Sequence, residues 1–230
     1  MQATGLTKLN ILTYYFYCEF SKLMADKKLL GLEWSFSNLP LEAGCDEAGR
    51  GCLAGPVTAA AVILGSPLPG INDSKKIGER QRETLRIAIE KSALAYAVAF
   101  VSPDRIDEIN ILNASIEAMH LALAALHTSP EFILVDGNKF KPFQNIPHLC
   151  VVGGDAKYQS IAAASILAKC YRDEAMKNLS VKYLHYGWDV NKGYPTKSHV
   201  NAIKTYGITD AHRKTFGIVK ILSQKTLFEM

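Results

Sequence analysis

A chain of 230 residues with 48% hydrophobic and 21% charged residues can build one sizeable core, and its balance is that of an ordinary globular protein. No apolar run approaches the roughly 20 residues of a membrane helix. The five cysteines, at 18, 45, 52, 150 and 170, are odd in number and form no C-x-x-C pair, which speaks against a disulfide framework or a zinc site and for a reduced, cytoplasmic protein. The net charge of +4 is uneven: residues 176–230 hold nine Lys/Arg against three Asp/Glu, and the remainder carries −2. Such a basic segment is either a surface for a polyanion or a solvated face.

The stretch Leu9–Phe20 is apolar and aromatic but lacks the small-residue cleavage site of a secretory signal. Met24, followed by Ala25-Asp26-Lys27-Lys28, reads as an alternative start, so residues 1–23 are expected to be dispensable. Leu30–Leu39 is a short helix or an irregular lead-in. Leu41–Cys45 is the first strand, and Val57–Leu64, almost wholly apolar, is a second strand covered on both faces. The loop Gly65–Gly70 and the turn Asp73-Ser74-Lys75-Lys76 precede a helix over Glu79–Lys91, with Leu85, Ile89 and Leu94 on its inner stripe.

Leu94–Val101 is the third strand. Ser102 caps a helix with Pro103 in its first turn, and Asn113–His127 is a further helix, rich in Ala and Leu. Glu131–Val135 is the fourth strand, stopping on Asp136-Gly137-Asn138. His148–Val152 is the fifth, broken by Gly153-Gly154, and Asp155–Lys177 is the longest helix. Tyr183–Tyr194 is irregular; Ser198–Tyr206 and a short stretch from Asp210 are helical. This order predicts an α/β protein with a mixed five-stranded sheet flanked by helices. It divides into an N-terminal extension (1–40), a core (41–178) and a small basic helical C-terminal region (179–230).

Chemistry concentrates at Cys45-Asp46-Glu47-Ala48-Gly49-Arg50-Gly51, where an apolar strand runs into two carboxylates and a glycine-rich turn. Asp136 also ends a strand, and Asp155 follows one. Strand ends on one edge of an α/β sheet converge, so Asp46, Glu47, Asp136 and Asp155 are expected to form one cluster. Carboxylates without thiolate or imidazole favour a hard cation, Mg²⁺ or Mn²⁺. Two such ions can hold a phosphodiester and activate a water. Taken singly, Asp155 reads more readily as a helix cap than as a ligand and Asp136 as a turn residue; their common placement at strand ends is what points to function. Asp46 and Glu47 would point to opposite faces of a regular strand, so the strand is expected to end or bend at that pair. Gly49 to Ala54 also fits the dinucleotide fingerprint G-x-G-x-x-A. That fingerprint requires a helix next, and Pro56 followed by Val57–Leu64 reads as a strand.

Asp46-Glu47-Ala48-Gly49-Arg50-Gly51-Cys52-Leu53-Ala54-Gly55-Pro56-Val57 resembles the signature of type 2 ribonuclease H, the ribonuclease HII family of bacteria. So do Asp73-Ser74-Lys75-Lys76, Val135-Asp136-Gly137, Gly154-Asp155 leading into Ile161–Lys169, and Gly193-Tyr194-Pro195-Thr196. Five motifs stand in the family's order between about Leu41 and Phe216.

The resemblance implies a ribonuclease H-like fold and endonucleolytic cleavage of RNA in RNA–DNA hybrids. It implies incision 5′ of single ribonucleotides embedded in duplex DNA, leaving 3′-hydroxyl and 5′-phosphate ends. It places the metal-binding and catalytic acids on Asp46, Glu47, Asp136 and Asp155, with Mn²⁺ or Mg²⁺ as cofactor. Gly49, Arg50 and Gly51 fall on the loop that meets the ribose 2′-hydroxyl, the group that distinguishes RNA from DNA. Tyr194 falls on the tyrosine that senses the junction. Ser74, Lys75, Ser165 and Lys169 are expected on the nucleic-acid backbone, and His199, His212, Arg213 and Lys214 in a phosphate-binding tail. Expected partners are the RNA–DNA hybrid and ribonucleotide-containing duplex, with no membrane and a monomeric state. Recruitment by a replication or repair protein is left open. The alternatives are a non-catalytic nucleic-acid-binding module on the same fold, which an Mg²⁺-dependence assay separates, and a dinucleotide-dependent enzyme.

Overall fold

The computed structural model of the protein describes residues 31–71 and 77–228. Residues 1–23, the proposed start at Met24 and the turn Asp73-Ser74-Lys75-Lys76 lie outside the described residues. Five strands form one sheet: β1 (Glu42–Ala48), β2 (Val57–Leu64), β3 (Ala93–Val101), β4 (Phe132–Asp136) and β5 (His148–Val151). Their order is β3-β2-β1-β4-β5. β1–β2 and β2–β3 are antiparallel; β4 pairs parallel to β1, and β5 parallel to β4. The expected mixed sheet is therefore present, and its three parallel strands β1, β4 and β5 all end on one edge.

The helices are α1 (Glu79–Ser92), α2 (Pro103–Ala124), α3 (Gln159–Lys182), α4 (Trp188–Asn191), α5 (Lys197–Tyr206) and α6 (Gly217–Phe228). α2 covers one face of the sheet, packing Ala114, Ala118, Met119 and Ala122 against Ala43, Cys45, Ala59 and Ile133. α1 and α3 cover the other, where Leu85, Ile89, Ile166 and Leu167 meet Ala60 and Val62. Every residue of β2 is buried, which explains a sequence apolar at every position but Thr58. At Gly44 the strand lies so close to α3 that a Cβ would stand 2.1 Å from the Ser160 carbonyl carbon. Only glycine permits that approach. None of the described helices is long and apolar enough to cross a membrane.

Several boundaries differ from the sequence reading. β1 does not stop at Cys45; it stays in register with β2 through Ala48. The two helices expected after Ser102 stand end to end in α2, divided at Asn110, whose φ is 67°. The Asn110 side chain accepts from the N–H groups of Leu112 and Asn113, capping the second half. α3 begins at Gln159, not at Asp155, which sits in a 3₁₀ turn, Gly154–Ala156. The stretch from Asp210 is not helical: its His212 instead bridges to Ala54. Residues 31–40 dock on the core. Glu42, buried, accepts hydrogen bonds from the Ser35 hydroxyl, the Phe36 N–H, and both the N–H and hydroxyl of Ser37.

Candidate active site

Asp46 and Glu47 reach the C-terminal edge of the sheet from within a regular strand, so they face opposite ways. Asp46, 4% exposed, points towards α3, where Ser165 hydrogen-bonds to it, and its Oδ1 accepts from the Glu47 N–H at 2.7 Å. Glu47 points towards α2, lining a 190 Å³ pocket with Arg50, Ser115, Met119, Asp136, Asn138 and Lys139. Its Oε1 accepts from Arg50 Nη1 at 3.1 Å. Its Oε2 is buried without a hydrogen-bond partner, as is Ser115 Oγ on the same pocket. The expected end or bend of the strand is thus replaced by a straddle: the two acids flank the sheet edge from both faces.

Asp136 closes the gap. β1 and β4 pair in parallel as far as Cys45 opposite Val135, so Asp136 follows one step later beside Asp46. Its Oδ1 accepts from the Gly154 N–H at 2.7 Å. Burial, then the charges of Glu47 and Asp136, push the Asp46 carboxyl well above its ordinary range, and the Ser165 hydrogen bond only partly opposes them. Glu47 is raised too, by burial first; Arg50 opposes the shift and Asp136 adds to it. Asp155, 3% exposed, lies in the turn directly after Gly154. It is not the cap of α3, a position Tyr158 holds.

Among the described residues, no three of the His, Cys, Asp and Glu side chains are already arranged to hold a metal ion. The donor set nevertheless fits a hard cation. Oxygen-only ligands crowd one edge, an orphaned carboxylate oxygen faces a cavity, and the repulsion among the acids is what a divalent charge relieves.

The turn after β1 is built from beneath by two arginines: Arg172, which sequence reading did not single out, and Arg213, which it placed in a phosphate-binding tail. Arg172 and Arg213 are both fully buried. Arg172 donates to Pro56 O, Lys192 O and Ala54 O, at 3.1, 2.9 and 3.3 Å. Arg213 donates to Gly55 O and Arg50 O, both at 3.0 Å. Burial pulls its guanidinium down to about 10. Backbone bonds finish the clamp: Leu53 N–H to Gly193 O, Gly55 N–H to Ala211 O and Arg213 N–H to Leu53 O. The Gly49–Pro56 turn and the segment bearing Tyr194 are therefore one hydrogen-bonded unit. Gly51 presents open space above its Cα, and Arg50 is exposed.

Tyr194 is 40% exposed, with Lys169 Nζ 5.7 Å and Arg172 Cζ 5.8 Å from its ring centre. With that exposure it is not a plug of the core around Trp188. Burial, with Cys52 beside it, raises its phenol. Lys169 pairs with Asp173 at 2.7 Å. Ser165 is buried against Asp46 and so supports a carboxylate, where a contact to the nucleic-acid backbone was expected. Ser74 and Lys75 lie outside the described residues.

The phosphate-binding tail is a correction. His199, His212 and Arg213 are all fully buried, and Lys214 pairs with Asp104 at 3.4 Å. The C-terminal region builds its own small core, with Leu53, Met176, Trp188 and Ile203, against the turn. Its basic composition concealed that Arg213, His199 and His212 point inward.

Solved structures resemble this architecture. The ribonuclease H2 of Pyrococcus horikoshii superposes with a TM-score of 0.67 at 29% identity, covering 80% of this chain and 97% of that one. The RNase HII of Archaeoglobus fulgidus, solved in complex with PCNA, superposes at 0.63 with 28% identity, covering 76% and 95%. The fold is thus that of a ribonuclease H-like nuclease. Residues 43–219 match the family described as Ribonuclease HII. The ribonuclease HII of Porphyromonas gingivalis is 57% identical over 181 residues, 77% of this chain and 90% of its own. That of Parabacteroides distasonis is 58% identical over 181 residues, 78% and 91%. The chain belongs to the ribonuclease HII family: it is an endoribonuclease, a hydrolase of phosphodiester bonds in the RNA of RNA–DNA hybrids.

Proposed function

We propose that this protein, acting in the cytoplasm, also incises duplex DNA 5′ of a single embedded ribonucleotide, leaving 3′-hydroxyl and 5′-phosphate ends. Its cofactor in this reading is Mn²⁺ or Mg²⁺, held by Asp46, Glu47, Asp136 and Asp155. The observation that carries the reading is the straddled sheet edge. Two acids from opposite faces of β1 meet Asp136 there, beside a turn whose backbone is open at Gly51.

A divalent ion pair, when bound, neutralises the phosphodiester and lowers the pKa of the attacking water. The chain's own residues do the rest. Ser165 and the Glu47 N–H hold Asp46 in one orientation, and the Gly154 N–H holds Asp136, so two donor oxygens are set before substrate arrives. The Gly49–Gly51 backbone lies beside Glu47 and is rigid from below, suited to meeting a 2′-hydroxyl as both donor and acceptor. The half-exposed Tyr194 ring stands on the same unit, where it packs on the nucleotide following the ribose.

The test is a duplex with one ribonucleotide, incubated with and without Mg²⁺ or Mn²⁺, with the cut position read out. Cleavage 5′ of the ribonucleotide only with metal is expected, and none from Asp46→Asn. Undiminished cutting by a folded Asp46→Asn preparation, free of contaminating nuclease, would count decisively against the assignment.

A further inference from the structure

The buried cluster beneath Tyr194 determines its own protonation pattern. Trp188 Nε1–H can only donate, so His199 Nε2, 3.0 Å away, must accept. The proton of the neutral imidazole then sits on Nδ1, which donates to Tyr194 O at 2.9 Å. His212 Nδ1 accepts from the Thr209 N–H at 3.0 Å, which leaves its Nε2–H directed at His199 Nε2, 3.3 Å away. Trp188, His199 and His212 are all fully buried. The His199 ring is therefore wedged between two donors on one side and the Tyr194 carbonyl on the other.

The rest of Tyr194's backbone is held as well. Thr196 N–H donates to its carbonyl at 2.8 Å, and its own N–H donates to Asn191 O at 2.9 Å. Thr196 Oγ1 caps α5 by accepting from the His199 N–H, which sets the first turn of the helix so that the imidazole folds back. An apolar ring of similar size would fill this core without the desolvation that a buried imidazole carries. What the imidazole adds is a directed bond to Tyr194, whose ring reaches the surface.

We propose that His199 is a positioning residue for Tyr194, and that the chain from Trp188 and His212 through His199 sets discrimination between a single embedded ribonucleotide and a continuous RNA strand. This rests on the reading of Tyr194 as the residue that packs on the nucleotide after the ribose.

Two amide variants separate the two sides of the ring. His199→Asn places an amide nitrogen near the Nδ1 position and keeps the donor to Tyr194 O while losing the acceptor for Trp188. His199→Gln reaches the Nε2 position with its oxygen and loses the donor to Tyr194. The readout is the ratio of kcat/KM on a single-ribonucleotide duplex to that on a continuous hybrid, beside the melting temperature of each variant. His199→Gln is expected to lower the ratio about tenfold, the scale of one lost hydrogen bond, and His199→Asn to leave it within about twofold. Equal ratios in the two variants, or a ratio that follows the melting temperature alone, overturn the proposal.

Tyr194→Ala separates the layers. If its ratio equals that of the unaltered protein, the Tyr194 reading fails and this proposal with it. If Tyr194→Ala shifts the ratio and neither histidine variant does, only this proposal fails. Long-range ¹H–¹⁵N spectra of the unaltered protein add a check that needs no variant to fold. A protonated Nδ1 and bare Nε2 at His199 support the proposal, and the opposite tautomer overturns it.

Discussion

Replacing Gly49 with alanine sets a methyl carbon 2.0 Å from Arg172 Nε and 2.5 Å from its Cδ, at a residue whose φ is 96°. The backbone strain of a side chain in that region is about 1–2 kcal/mol. The overlap is worse, because Arg172 cannot step aside without leaving the carbonyls of Pro56, Lys192 and Ala54. Breaking one charged hydrogen bond of this kind costs about 1.5–3 kcal/mol. Together the substitution should remove about 3–5 kcal/mol, roughly 10 °C of melting temperature for a chain of this size. Gly51→Ala is the control: a Cβ there meets nothing within 4 Å, so stability should stay within about 0.5 kcal/mol. On the proposed reading its cleavage should nonetheless fall, because the methyl group would stand where the ribose docks. Thermal unfolding of both variants, with cleavage measured on the same preparations, is the assay. A Gly49→Ala melting temperature within about 2 °C of the unaltered protein would refute the account of the clamp.

Asp46→Asn removes one of three mutually repelling acids and should melt higher by about 1 kcal/mol while losing cleavage, a stability–activity exchange checked by calorimetry and gel assay. Added Mn²⁺ should raise the melting temperature of the unaltered protein and do so much less in that variant. His212 supplies a pH dependence: burial pulls its pKa from 6.5 to about 4 in the folded chain, so the unfolded chain binds the extra proton. Its contribution is complete above pH 6.5 and is lost as pH falls towards 4, about 3 kcal/mol over that window. His212→Asn, which keeps an acceptor for Thr209, should flatten the fall in urea stability between those pH values; an identical slope contradicts the assignment. Glu42→Ala frees the four donors of residues 35–37 and should cost about 2–4 kcal/mol in urea unfolding, with cleavage by the remaining folded protein unchanged.

Strands were legible because burial on both faces demands unbroken apolar runs: Val57–Leu64 was read to the residue. The parallel ends of β1, β4 and β5 made the convergence of Asp46, Glu47 and Asp136 foreseeable. What misled was treating the carboxylates as a strand end. The β1 ladder tolerates them because side chains leave the sheet plane, so hydrogen bonding continues past Asp46 and Glu47. The kink at Asn110 was readable only in part, since its cap is a side-chain bond inside a helical pattern. Arg172 had a signal that went unused. It follows Ser165 and Ala168 and precedes Met176 at helical spacing, on the stripe that the structure buries. Arg213, His199 and His212 had none: Arg213 bonds carbonyls 158 and 163 residues away, and the histidines' partners, though near in sequence, are groups that only the folded C-terminal region brings together.

The clamp also imposes a timetable. Arg213 holds Arg50 across 163 residues of chain, so on the ribosome the turn emerges well before part of its support. A nascent chain that has already paired β1 with β4 still lacks Arg213, Ala211 and the Gly193 carbonyl under its glycine turn. The sheet edge bearing Asp46 and Asp136 and the support of the glycine turn beside it are thus completed at different moments of synthesis.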